Sequence, residues 1–185
     1  MTTQFCLFET ALGPCGLVWG QHGLRGLQLP ERNAGATRAQ IARRHPEALE
    51  VTPSADVRAA CDAIVALLSG EKRDLREIVL DMRDLPPLNR QVYEIARVIA
   101  PGATLTYGAI ALKLGDRTLA QAVGQALGKN PYPIIVPCHR VLAAGGKIGG
   151  FSAPTGIALK RKLLAIESVH ASGSPSLFDS LRQAN

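Results

Sequence analysis

The sequence predicts an α+β chain in which a small mixed unit is followed by a mainly helical one. Three observations carry that expectation. Residues 4–29 read as short strands joined by turns, Asp84-Leu85-Pro86-Pro87 interrupts the chain, and beyond it apolar residues recur at helical spacing. With 185 residues, 46% of them hydrophobic and 19% charged, the chain can build a core without a disulfide or metal staple. Aromatics are only 4%, so aliphatic side chains must fill that core.

In chain order, Phe5–Phe8, Leu17–Trp19 and Leu24–Leu29 have strand character, the last two forming a hairpin across Gln21-His22-Gly23. The polar stretch Asn33–Arg44 suits a short surface helix. Ser54 is placed to cap a helix running to about Leu68, with Ser69-Gly70 as its stop, and Leu75–Leu80 reads as a strand. Paired prolines resist helix continuation, so the unit boundary falls after residue 83. The division is therefore 1–83, 84–170 and a serine-rich tail, 171–185.

In the second unit Val92, Ile95, Ala96 and Ile99 give one apolar helix face, ended by Pro101-Gly102. Two short helices follow, about Tyr107–Leu114 and Thr118–Leu127, around Gly115-Asp116-Arg117, the arrangement of a helix-turn-helix. The second contains Ala120, Ala122, Gly124 and Ala126. So slim a helix serves either close packing on another helix or close approach to a groove.

Charge points to the same half. Residues 1–83 carry 10 basic and 10 acidic side chains, whereas residues 84–185 carry 11 basic and 5 acidic, so the whole formal charge of +6 lies in the second unit. A localised excess fits contact with a polyanion, and it also fits a basic surface with no partner. The N-terminus has no basic patch followed by an apolar run, and no membrane-length apolar stretch occurs, so a cytoplasmic protein without membrane contact is expected. Four cysteines lie scattered without a C-x-x-C pair, which argues against structural zinc or a disulfide framework. Cys61 shares a helical face with Val57, Ile64 and Leu68 and reads as a small buried hydrophobe, while Cys6 and Cys15 have no polar constellation around them.

Cys138 is different. It stands in Asn130-Pro131-Tyr132-Pro133-Ile134-Ile135-Val136-Pro137-Cys138-His139-Arg140-Val141, where prolines fix the approach and a base and a cation follow. A thiol becomes a nucleophile when a base takes its proton and nearby positive charge or donors stabilise the thiolate. His139 is the candidate base. In an extended segment neighbouring side chains point to opposite sides, so a bridging water is expected between them. Such a base needs an orienting carboxylate, and among the few acids of this half Glu167, at the end of a helix Gly156–Ile166, is best placed. A bare Cys-His dipeptide by itself more often marks a packed cysteine beside a satisfied histidine.

The wider pattern separates these readings. Thr106-Tyr107-Gly108, Ala122-Val123-Gly124, Asn130-Pro131, Pro137-Cys138-His139-Arg140-Val141, Gly149-Gly150-Phe151-Ser152 and Lys162-Leu163-Leu164-Ala165-Ile166-Glu167 follow the order and near-spacing of one family. The chain resembles the O6-alkylguanine-DNA alkyltransferases, also called methylated-DNA–protein-cysteine methyltransferases, specifically over about residues 88–168 and loosely over 1–83. The resemblance implies an N-terminal three-stranded antiparallel sheet of RNase H-like shape with helices, and a winged-helix-like second domain with the helix-turn-helix. It implies a monomer that binds double-stranded DNA through the minor groove and rotates the modified guanine out of the stack. Cys138 then matches the acceptor that takes the alkyl group from guanine O6, once only, with no cofactor. His139 matches the residue that deprotonates Cys138 through water, Glu167 the one that orients it, and Asn130 the brace of the active-site turn. Tyr107 matches the phenol that presses on the target phosphate and protonates the departing base. Val136, Val141, Phe151 and Ser152 match the guanine pocket; Thr106, Tyr107, Gln121, Ala122, Gly124, Arg140 and Ser152 fall at DNA-contacting positions, with Arg140 also reading as structural.

Three departures stand out. Gln121 occupies the place of the arginine that usually fills the vacated position in the duplex, and it supplies neither charge nor comparable stacking. The loop Ser152–Gly156 is about two residues longer than in human-like members. Cys6, Cys15, His22 and His45 do not reproduce the zinc ligands that some members carry, so no metal is expected. The rival is an alkyltransferase-like damage sensor that binds alkylated DNA without efficient transfer. Such proteins replace the cysteine, and Cys138 is present. A sequence-reading regulator fits less well, because the second helix offers mainly small residues with Gln121 and Gln125.

Overall fold

A computed structural model describes residues 2–148 and 156–168. The first half holds strands β1 (Gln4–Thr10), β2 (Gly13–Gly20) and β3 (Gly23–Gln28), helix α1 (Ala34–Arg44), the two-residue strand β4 (Leu49–Glu50) and helix α2 (Ala55–Leu68). Helix α3 (Pro87–Arg97), strand β5 (Leu105–Thr106), helices α4 (Tyr107–Lys113) and α5 (Ala120–Gly128), strand β6 (Val141–Leu142) and helix α6 (Gly156–Ser168) follow. The α+β class expected from the sequence is the class observed.

The sheet runs β3-β2-β1-β4, with antiparallel neighbours except for β4, which pairs parallel to β1. The sheet therefore has a fourth strand that the resemblance did not imply. β2 and β3 join through Gln21 and His22, and Gly20 pairs with Gly23. Gly23 has φ +125, and a Cβ there would meet the Val79 carbonyl oxygen at 2.7 Å, so both the turn and the overlying chain require glycine.

Asn33 caps α1 by accepting from Ala36 N at 2.9 Å, and the helix buries Thr37 and Ile41 against the sheet. α2 begins after Ser54, but the Ser54 side chain makes no capping hydrogen bond. Val57, Ala60, Cys61, Ile64, Leu67 and Leu68 form its buried face, the helical periodicity read from the sequence. The expected strand Leu75–Leu80 is reduced to one bridge between Leu24 and Leu80. The Arg97 guanidinium explains this, donating to the carbonyls of Arg76 at 2.8 Å and Ile78 at 2.7 Å, which a neighbouring strand would otherwise use.

Pro86-Pro87 does not simply break the chain. Pro87 occupies the first position of α3, where a missing N–H costs nothing. α3 buries Val92, Tyr93 and Ala96, and Tyr93 donates its hydroxyl to Ala126 O in α5 at 2.7 Å. α4 and α5 pack against each other across Gly115, whose φ is +94, and a 3-10 turn, Arg117–Leu119, capped by Asp116. One hydrophobic cluster runs from Cys6 and Leu17 through α2 and α3 to Val136, Cys138 and Leu163, so the two halves share a continuous core. No described helix is long and apolar enough to cross a membrane.

Candidate active site

The segment from Asn130 to Pro137 is held by its own side chains and by the first half of the molecule. The Asn130 amide donates to Val136 O at 2.9 Å while its oxygen accepts from Tyr132 N at 2.9 Å, closing a loop over the intervening residues. Val136 N donates to Tyr132 O at 2.8 Å, and Cys138 N donates to Val136 O at 2.8 Å. Within this loop Ile134 has φ +74, the one non-glycine residue with positive φ among the described residues, and is 1% exposed. Leu27 N donates to Pro131 O at 2.9 Å and the Tyr132 hydroxyl to Asp81 O at 2.5 Å, which ties the loop to β3 and to the chain before α3.

Cys138, His139 and Arg140 form a single 3-10 turn rather than the extended segment expected from the prolines. Pro137 at ψ 66 bends the chain just before it. All three residues are buried, and His139 is fully enclosed. The turn directs two of its side chains at one carboxylate. His139 Nε2 lies 2.8 Å from Glu167 Oε1, while Arg140 donates Nε to Oε2 at 2.9 Å and Nη2 to Oε1 at 2.8 Å. Arg140 Nη1 also donates to Ile99 O. Glu167 sits inside the last turn of α6, which extends past the expected end at Ile166.

Strand β5 pairs parallel with β6, Leu105 opposite Val141 and Thr106 opposite Leu142, and this sets the start of α4 beside the end of the Cys138 turn. Thr106 caps α4 by accepting from Ala109 N at 3.0 Å. Tyr107, half-buried, has its ring 5.8 Å from Lys160 Nζ, a cation–π geometry. Lys160 is fully buried and donates to Val141 O at 2.6 Å. Sequence reasoning missed this lysine. Its signal was there to read: Lys160, Leu163, Leu164 and Glu167 share one face of α6, and all four are buried.

The electrostatics follow from burial. Burial pushes the Cys138 thiol above its ordinary value, opposed by the Asn130 amide, the Lys160 charge and nearby backbone N–H groups. Burial holds His139 below the usual imidazole range and so neutral, although Glu167 pulls the other way. Burial alone would raise Glu167, but hydrogen bonds and charge from His139 and Arg140 outweigh it and bring the carboxyl to about 2. An ionised carboxylate only accepts, so His139 Nε2 carries the hydrogen and Nδ1 presents a lone pair. Nδ1 is buried and has no hydrogen-bond partner among the described residues. A protonated thiol, a neutral imidazole with a free basic nitrogen and a nearby buried cation together suit proton abstraction followed by attack of sulfur on an electrophilic carbon.

Of the expected site residues, the structure brings Cys138, His139, Glu167, Asn130 and Tyr107 into one region with Val136 and Val141, both fully buried. Gln121 is exposed at the start of α5, with Ala122 and Gly124 half-buried on the same helix. A Cβ at Gly124 would stand 3.9 Å from the Tyr107 ring, so α5 lies against the residue expected to act on DNA. Of the two readings of Arg140, the structural one matches its placement: 5% exposed and bonded to Glu167 and Ile99, the side chain does not face outward as a DNA contact would. Phe151 and Ser152 lie outside the described residues. Among the described residues no group of three or more metal-binding side chains converges.

The family described as 6-O-methylguanine DNA methyltransferase, DNA binding domain, matches residues 87–169. A methylated-DNA–protein-cysteine methyltransferase of Mycolicibacterium paratuberculosis is 40% identical over 120 residues, 65% of this chain and 70% of the relative. One of Methanothermobacter thermautotrophicus is 31% identical over 158 residues, 85% of this chain and 81% of its own length. The crystal structure of Mycobacterium tuberculosis OGT in complex with DNA superposes with a TM-score of 0.73 at 30% identity, over 90% of this chain and 93% of that one. The matches cover most of the chain, the family model includes the turn that buries Cys138, and the chain belongs to the methylated-DNA–protein-cysteine methyltransferase family.

Proposed function

We propose that this protein repairs DNA directly, moving the alkyl group from guanine O6 in duplex DNA onto Cys138 in a single turnover. The observation that carries the reading is the buried turn in which Cys138 precedes His139, itself kept neutral by burial and oriented by ionised Glu167. His139 Nδ1 accepts the thiol proton, directly or through water. Cys138 Sγ attacks the alkyl carbon in line with the C–O6 bond, which breaks and leaves its electron pair on the guanine. The Tyr107 hydroxyl supplies the proton that the departing base takes up, and the buried Lys160 charge stabilises the thiolate before it reacts. The product is an S-alkylcysteine. A thioether has no ready leaving group, so the protein acts once.

The DNA module is the 84–170 unit, with α4 and α5 as the helix-turn-helix entering the minor groove. The target guanine rotates into a pocket beside Val136 and Val141. Gln121 fills the vacated position less firmly than an arginine, so extrusion is the weakened step and thiol chemistry is not. The protein acts as a cytoplasmic monomer. Incubation with an O6-methylguanine duplex, followed by intact mass, tests the reading. A gain of about 14 Da, one methyl for one hydrogen, that disappears in Cys138→Ala supports transfer. Tight binding without the gain identifies a damage sensor instead.

A further inference from the structure

We propose that Cys6 and Cys61 form an oxidation site, a buried thiol pair that hydroperoxides close to an intramolecular disulfide across the contact between β1 and α2. The two sulfurs lie 3.9 Å apart though 55 residues separate them in sequence, each thiol being the other's polar partner. Both residues are 5% exposed and packed among apolar side chains such as Leu17, Val57 and Ile64. Cys6 lies on an inner strand of the sheet and Cys61 on the face of α2 that covers it. A disulfide needs its sulfurs at about 2.05 Å, a closure of about 2 Å from the 3.9 Å observed.

The pair is also poised chemically. The two thiols share one hydrogen bond, which holds the Cys6 thiol below its ordinary value, while Cys61 is held above its own by the same bond and by burial. Cys15 lacks such a partner. Its sulfur meets the Thr10 hydroxyl at 3.6 Å, and burial pushes it up to about 11. The Cys6 thiolate attacks one peroxide oxygen, the O–O bond breaks, and the other oxygen leaves as the alcohol or water with the proton, giving a sulfenic acid. Cys61 sulfur then displaces that hydroxyl, the S–O bond breaks, and the Cys61 proton leaves with it as water. Two electrons pass from the thiol pair to the peroxide. The link constrains the unfolded chain and braces β1 to α2, so the oxidised protein unfolds at a higher temperature.

The test treats the folded full-length chain with hydrogen peroxide, labels remaining thiols with N-ethylmaleimide in denaturant, and maps the peptides. A Cys138→Ser chain is run in parallel to keep the acceptor thiol from consuming oxidant. The expected result is a peptide joining Cys6 to Cys61 with two hydrogens lost, label on Cys15, and a raised melting temperature that dithiothreitol reverses. Cys61→Ala and Cys6→Ala each remove both the linked peptide and the shift. Recovery of Cys6 and Cys61 as free or singly oxidised thiols, or a link through Cys15 or Cys138, overturns the proposal.

Discussion

Glu167 and His139 meet at 2.8 Å, both buried, with the carboxylate donated by the last turn of α6 and the imidazole by the 3-10 turn after Pro137. The same carboxylate takes a two-pronged grip from Arg140. One group thus fixes the tautomer of the candidate base and is kept ionised by the cation beside it.

The pH dependence of alkyl transfer separates a base-assisted thiol from a free thiolate. Because His139 stays neutral below its usual range and Cys138 is raised, the rate with O6-benzylguanine should be nearly flat from pH 8 to 6.5 and fall only at lower pH. A rise of about tenfold per pH unit up to pH 9 would mean that only preformed thiolate reacts.

Stability should follow the same groups. Both His139 and Glu167 bind protons more weakly folded than unfolded, so their contribution is complete above both ordinary values and lost on acidification. Denaturant titrations should therefore show stability decreasing below pH 6.5 and again below 4.5, the ordinary values of the two groups, with the carboxylate part continuing toward about pH 2.

Arg140→Met removes the grip on Glu167 and leaves a buried carboxylate facing one imidazole. Breaking a buried pair in this way costs about 3–5 kcal/mol, so the variant should melt well below the native chain. Reaction with O6-benzylguanine at a temperature where the variant remains folded should also slow, because His139 gains a proton more readily once Glu167 is less neutralised. A variant as stable and as fast as the native chain would show that Arg140 matters to neither.

Gln121→Arg tests the exposed start of α5. The side chain lies outside the buried site, so the rate with free O6-benzylguanine should not change, whereas the rate with alkylated duplex should rise by about tenfold. Equal behaviour on duplex would remove base extrusion as the weakened step.

Ile134 reverses a familiar ordering. At φ +74, alanine keeps the strain and glycine relieves it, so Ile134→Gly should be more stable than Ile134→Ala by about 1 kcal/mol. Both should fall below the native chain by about 2–5 kcal/mol, because either loses a side chain that is 1% exposed. Thermal or denaturant unfolding of the pair measures the difference.

Much of the fold is legible in the sequence. Local patterns gave β1, the β2–β3 hairpin, α1, α2, α3, the α4–α5 pair and α6, because turns, caps and apolar periodicity act within a few residues. Cys138, His139 and Glu167 could be named from residue chemistry and the scarcity of acids in the second half. Leu75–Leu80 has the composition of a strand but does not form one, because Arg97, distant in sequence, takes its carbonyls. Lys160 was passed over because a lysine on a helix is ordinarily solvated, and only packing against Val141 and Tyr107 shows that this one is not.

The sequence by itself determined the α+β class, the order of elements, the confinement of the +6 charge to residues 84–185 and which thiol stands next to a candidate base. Tertiary structure alone decided that Arg140 clamps Glu167 instead of facing outward, that Lys160 is buried beside Tyr107, and that Cys6 meets Cys61. Side-chain chemistry and helical or strand period are properties of neighbouring residues. Burial, ion pairing and pKa arise only when segments tens of residues apart close on one another and exclude water.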